Sequence, residues 1–238
     1  MNSTPVRLKF ASYNIHKAVG TDRRRDPDRI LAVLREIDAD VIALQEADRR
    51  IGRRESVLPR ETIEDYTPWR PVALNHRPDS LGWHGNALLV RRDITVVEAG
   101  VVPLPTLEPR GAIRADLMAE GKRFRVVGMH LDLSGLRRRQ QVRTILDHLA
   151  RCDGHCPTVL MGDCNEWSLH RGALGEFRAP WRLITPGASF PSRRPVGRLD
   201  RLVLSEQWEL EEAGVHHSAL AAKASDHLPV WVGVELPK

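Results

Sequence analysis

At 238 residues, with 42% hydrophobic and 28% charged residues, the chain has the size and composition of one large α/β domain rather than of a disordered or fibrous protein. The formal net charge is +5, no apolar run approaches the thickness of a bilayer, and Met1 to Phe10 lacks the apolar centre of a secretory signal, so the expected compartment is cytoplasmic and no transmembrane segment is expected. The three cysteines, Cys152, Cys156 and Cys164, are too few and odd in number for a disulfide framework, and no second Cys/His pair accompanies Cys152, His155 and Cys156 to make a structural zinc site.

In chain order, Leu8 to Asn14 reads as a strand running into a polar turn. Asp26 and Pro27 then open a helix carrying Ile30, Leu31, Leu34 and Ile37 at helical spacing. Val41 to Leu44 is a short buried strand that delivers Gln45 and Glu46 at its end. From Asp48 to Gly85 the pattern is irregular, apart from a short strand near Pro71 to Leu74. Strands are expected at Ala87 to Val90, Ile94 to Val97, Ile113 to Met118 and Phe124 to His130, and a second helix at Leu136 to Ala150. Thr158 to Met161 and Leu199 to Leu204 are short apolar strands, and the alternation of Leu228, Val230, Val232, Val234 and Leu236 marks a last one. No repeat or linker divides the chain, so residues 1–238 are expected to form one α/β domain with several antiparallel neighbours.

The chemistry lies in a coincidence. A single carboxylate or histidine after a buried strand is usually a capping or core group, but Asn14, Glu46, His130, Asp163, Asn165, Asp200, Asp226 and His227 all stand at or beside strand ends. Hydrolysis of a phosphate ester needs such a set. Hard oxygen ligands hold magnesium or manganese, a carboxylate orients or deprotonates water, and an imidazole donates to a phosphoryl oxygen as charge builds. Thiolates are absent from the set, which disfavours zinc.

The strings SYNIH (12–16), LQE (44–46), GNALLV (85–90), MHLD (129–132), GDCNE (162–166), RLDRLVLS (198–205) and SDHLP (225–229) follow one another in the order of the endonuclease/exonuclease/phosphatase superfamily, which the chain resembles. The resemblance implies a four-layer sandwich of two packed mixed β-sheets flanked by helices. It assigns Glu46 as principal metal ligand with Asn14 and Asp226 beside it, Asp163 to water, Asn165 to the phosphate and nucleophile, and His227, oriented by Asp200, to phosphate stabilisation. His130 stands where deoxyribonuclease-like and sphingomyelinase-like branches carry histidine and apurinic endonucleases carry tyrosine. His16 stands where the apurinic branch tends to have an acidic residue. Asn86 and Arg110, the latter in the stretch Glu108 to Gly111, are the expected substrate contacts.

The expected function is therefore divalent-metal-dependent hydrolysis of a phosphate ester, first as a phosphodiesterase or nuclease and alternatively on a phospholipid headgroup or small ester. Arginine clusters at Arg23 to Arg25, Arg49 to Arg54 and Arg137 to Arg139 suit a nucleic-acid backbone, while Trp69 and Trp83 suit a lipid pocket or membrane surface. A catalytically dead binding domain on the same fold is disfavoured because the acidic and histidine positions are all present.

Overall fold

The protein is described by a computed structural model covering residues 5–49, 52–74, 78–106, 110–152 and 156–236. Strand β1 (Val6–Asn14) leads through a 3-10 turn to helix α1 (Pro27–Ile37), and β2 (Val41–Gln45) returns parallel to β1. Helix α1 begins where its sequence dictates. Asp26 Oδ1 accepts from Arg29 N at 3.0 Å, Pro27 fills the first turn, and the apolar stripe is buried from Ile30 to Ile37. It ends at Asp38, whose left-handed φ of 51° lets its N–H reach Leu34 O.

Helix α2 (Arg60–Tyr66) and β3 (Trp69–Pro71) follow, then β4 (Ala87–Arg91), β5 (Thr95–Val102), β6 (Gly111–Ala119), β7 (Lys122–His130), α3 (Gly135–Arg151) and β8 (Thr158–Asp163). The chain closes with β9 (Arg182–Ile184), β10 (Asp200–Leu204), β11 (Glu209–Val215), the short α4 (Ala221–Ala224) and β12 (Val230–Leu236). Two departures from the sequence reading lie in the 48–85 stretch. It contains a helix, and its strand begins at Trp69, earlier than Pro71. The helix is cryptic because only Ile63 among its residues is buried, which leaves no apolar stripe to recognise.

One six-stranded sheet has the order β11-β12-β1-β2-β4-β3 and the other β5-β6-β7-β8-β10-β9. Strand for strand the two repeat one plan, each with a single parallel pair (β1 with β2, β7 with β8) bridged by a helix and antiparallel neighbours outside it. The sheets pack face to face around Phe10, Phe124 and Trp208, whose rings meet edge-on at centroid distances of 5.5–5.9 Å. Helix α1 covers the outer face of the first sheet through Ile30, Leu34 and Ile37, and α3 covers that of the second through Val142, Ile145 and Leu149. The expected four layers are therefore present.

Candidate active site

Register assembles the site. His130 pairs with Asp163 across β7 and β8, and Asp163 pairs with Asp200 across β8 and β10, so the three stand in one row and project from the same face. Gly162, next to Asp163, permits this spacing, because a Cβ there would lie 1.8 Å from Met129 O. In the other sheet Asn14 pairs with Gln45, and hydrogen bonding continues past the strand ends through Ile15 N to Gln45 O and Lys17 N to Glu46 O, each 3.0 Å. Lys17 is thereby set opposite Glu46.

At the carboxylate row, side chains from the first sheet's side reach the second. Asn14 Nδ2 donates to Asp163 Oδ2 at 3.0 Å, and His227 Nδ1 lies 2.9 Å from Asp200 Oδ2. The same Asp163 oxygen is 3.4 Å from His130 Nε2 and 3.8 Å from His227 Nε2, while Asp163 Oδ1 accepts from Asn165 N at 2.9 Å. Burial alone would raise the Asp163 carboxyl, but the two imidazoles and the Asn165 N–H outweigh it and hold the pKa well below the usual range. Burial alone would lower His227, but Asp200 and Asp163 push it up to about 10. At neutral pH this is an anionic acceptor facing a cationic donor.

The expected site residues are placed as follows. Glu46 is half-buried, and the Lys17 ammonium is bonded to its Oε2. Although burial opposes ionisation, His130, Lys17 and His16 hold its pKa below normal. Asn14 Oδ1 accepts from His16 N at 3.1 Å, and Asp226 Oδ1 lies 3.8 Å from His16 Nδ1. Asn165 Nδ2 donates to Leu131 O at 2.9 Å. The Arg110 guanidinium lies against His130 Nε2 and donates to Leu131 O at 3.3 Å. Asn86 is buried and its Nδ2 ties β4 to β6 through Gly111 O at 3.2 Å. Glu108, Pro109 and His155 lie outside the described residues.

Trp69 does not line a lipid pocket. It is fully buried with Nε1 donating to Ala39 O at 2.7 Å, and Trp83 stacks on His84 at 4.4 Å.

Three contributors were not read from the sequence. Lys17 follows SYNIH directly. Ser225, within SDHLP, donates to Asn14 O at 2.7 Å, and Ser189 donates to Asp200 Oδ2. For Lys17 and Ser225 the available signal was position beside or within a recognised string; Ser189 had none. Left-handed backbone also gathers at the strand ends, with φ of 45° at His16, 58° at Lys17, 55° at Glu46 and 49° at Asn165. Such conformations cost about 1–3 kcal/mol each in non-glycine residues and concentrate at functional sites.

Among the described residues no three His, Cys, Asp or Glu side chains form a ready metal cluster. The oxygens of Asn14, Glu46 and Asp226 are nevertheless hard donors, and the cation already bonded to Glu46 is a side-chain ammonium. This donor chemistry fits magnesium or manganese better than zinc.

The architecture is thus a two-sheet sandwich with carboxylates and imidazoles gathered at one end. The chain belongs to the endonuclease/exonuclease/phosphatase family, whose model matches residues 11–227. No curated protein matches the chain. Among solved structures it is similar to a family member from Bacteroides thetaiotaomicron (18% identity, 99% of this chain and 100% of that one, TM-score 0.77). It is also similar to TDP2 of D. rerio complexed with single strand DNA product (15% identity, 96% and 98% covered, TM-score 0.74). A third is a Bacteroides thetaiotaomicron mannosyl-6-phosphatase (19% identity, 95% and 99% covered, TM-score 0.71). At these identities the likeness shows the fold alone.

Proposed function

We propose that the protein hydrolyses a phosphate diester by in-line attack of water, and that it depends on magnesium or manganese. The observation that carries this reading is the convergence of Asn14, His130 and His227 on one buried carboxylate oxygen of Asp163. Asn14, Glu46 and Asp226 would hold the metal, which supplies charge neutralisation at the phosphate.

Asp163, whose pKa is held low by the two imidazoles beside it, stays anionic and positions or activates the attacking water. The water oxygen bonds to phosphorus as the opposite P–O bond breaks; the proton that water loses passes to solvent, and the departing oxygen takes one from solvent to leave as an alcohol. His227, kept protonated by Asp200, donates to a phosphoryl oxygen as charge accumulates. His130, with Arg110 against it, adds a second donor on the same face, and Asn165 holds Asp163 in orientation through its N–H. Asn86 supports this wall from β4.

The test is hydrolysis of plasmid DNA, RNA, abasic duplex, phospholipids and soluble phosphate esters with magnesium or manganese, beside an Asp163→Asn control. Metal-dependent turnover of a diester that the control lacks is the expected result. Turnover undiminished by chelator would overturn the metal assignment.

A further inference from the structure

Among the described residues, five of the eight exposed large hydrophobic side chains fall in segments bordering one side of the site. They are Leu133 (61% exposed), Leu136 (75%), Trp167 (63%), Leu169 (40%) and Val196 (73%). These segments follow β7, follow β8 and precede β10.

The segments are tied together. Arg138 donates through Nη1 to Leu133 O at 2.6 Å and through Nη2 to the buried Glu166 at 3.2 Å, which clamps the start of α3 to the residue before Trp167. Trp167 meets Phe190 edge-on at 6.4 Å, and a Cβ on Gly197 would lie 3.0 Å from the Trp167 ring. Val196 N donates to Phe190 O at 2.9 Å, and the Phe190 ring is 4.8 Å from the His227 imidazole. The apolar ridge thus begins at the proposed phosphate-stabilising histidine.

Its charge is one-sided. The acidic residues of segments 131–139, 164–171 and 189–198 are Asp132 and Glu166, both buried, whereas Arg171, Arg193, Arg194 and Arg198 are exposed. Exposed aliphatic tips on segments whose exposed charges are arginines match the interfacial zone of an anionic bilayer, where tips enter the acyl boundary and guanidinium groups meet headgroup phosphates. Single-stranded nucleic acid is a poorer match, because bases stack on aromatic faces and four of these five side chains are aliphatic. A second copy is also poorer, since a two-fold contact would set the arginines against one another.

We propose that this ridge docks the protein onto an anionic phospholipid surface and presents the site to headgroup phosphodiesters. The substrate half of the proposal rests on the hydrolase reading above, whereas docking does not. The full chain is sedimented with vesicles of phosphatidylcholine alone or mixed with phosphatidylglycerol, with chelator present so that no turnover is needed. Hydrolysis of a soluble diester is measured separately.

Binding is expected on the mixed vesicles. It should fall by about tenfold in Leu136→Ser, as expected for losing one buried leucine, and by about as much in Arg193→Ala/Arg194→Ala. Soluble-diester hydrolysis should be unchanged in Leu136→Ser, which alters an exposed position outside the proposed catalytic set. Absence of binding by the unmodified chain, or equal binding by Leu136→Ser, overturns docking. So does a Leu136→Ser loss confined to single-stranded DNA binding or to self-association in sedimentation velocity. If vesicles bind but no diester is cleaved, docking stands and the hydrolase reading fails.

Discussion

Asn14, at the end of a strand in one sheet, donates its amide to Asp163, at the end of a strand in the other, at 3.0 Å. The amide does two things at once. Its nitrogen holds the proposed water-orienting carboxylate, and its oxygen, which accepts from His16 N, is one of the hard donors that would serve the proposed metal. Asn14→Asp keeps the oxygen, removes the donor and sets a second negative charge beside Asp163. Manganese affinity should be retained or increase, while turnover falls by about tenfold or more. Calorimetric titration with manganese and steady-state kinetics separate the two; parallel losses in both would show that Asn14 serves only the metal.

Asp163→Asn removes charge at nearly constant shape, and His227→Ala removes the donor. Each should lower the turnover number by roughly a hundredfold or more. Because the groups face one another at 3.8 Å, the double variant should lose less than the product of the single losses. Manganese affinity should change little for His227→Ala and fall clearly for Glu46→Ala. Near-native turnover in both folded single variants would mean that the site lies elsewhere.

The Lys17 ammonium is bonded to Glu46, so it competes with any cation that uses that carboxylate. Lys17→Met keeps the stem and removes the charge. Manganese should bind about fivefold more tightly, the equivalent of roughly 1 kcal/mol released from a partly exposed ion pair. Paramagnetic titration of bound manganese reads this directly, and an unchanged or weaker affinity would show that Lys17 supports the metal instead.

Far from the site, Asp116 is buried against Arg125 at 2.7 Å and 3.0 Å, with Arg123 at 2.7 Å. Burial opposes its ionisation, but the two guanidinium groups hold its pKa below the ordinary 3.8. A depressed folded value means that its stabilisation is present above that ordinary value and is lost as pH falls through the folded one. Asp116→Asn should cost roughly 3–5 kcal/mol at neutral pH, because Arg125 is left buried without its counter-charge, and should flatten the acid limb of stability. Urea denaturation at neutral pH and at steps well below pH 3.8 checks both; an unchanged acid limb would assign that limb to other carboxylates.

The elements readable from sequence were those whose burial is periodic. Helix α1 shows its cap and stripe, β1 shows alternating apolar residues, and β7 and β8 show apolar runs that end at His130 and Asp163. Strand β11 escaped because it is an exposed edge strand in which Glu209, Glu211 and Glu212 break the alternation, as edge strands that resist mispairing do. The residue types of the site were legible as a set. Their mutual placement was not, because the row of His130, Asp163 and Asp200 is a property of register between strands up to 70 residues apart. Lys17, Ser189 and Ser225 were illegible for the same reason, since their partners come from other loops.

The repetition of one strand plan in both sheets divides labour between two halves of the molecule. One half carries the oxygen donors Asn14, Glu46 and Asp226, and the other carries His130, Asp163 and Asp200. His227, on the loop entering the first sheet, reaches across to the second. A slip of one sheet over the other by less than an ångström would leave every strand paired and yet part Asn14 from Asp163. The site therefore acts as a vernier on sheet packing, and gentle heating or a cavity at the Phe10, Phe124 and Trp208 cluster would extinguish activity before the circular dichroism of the strands registered any change.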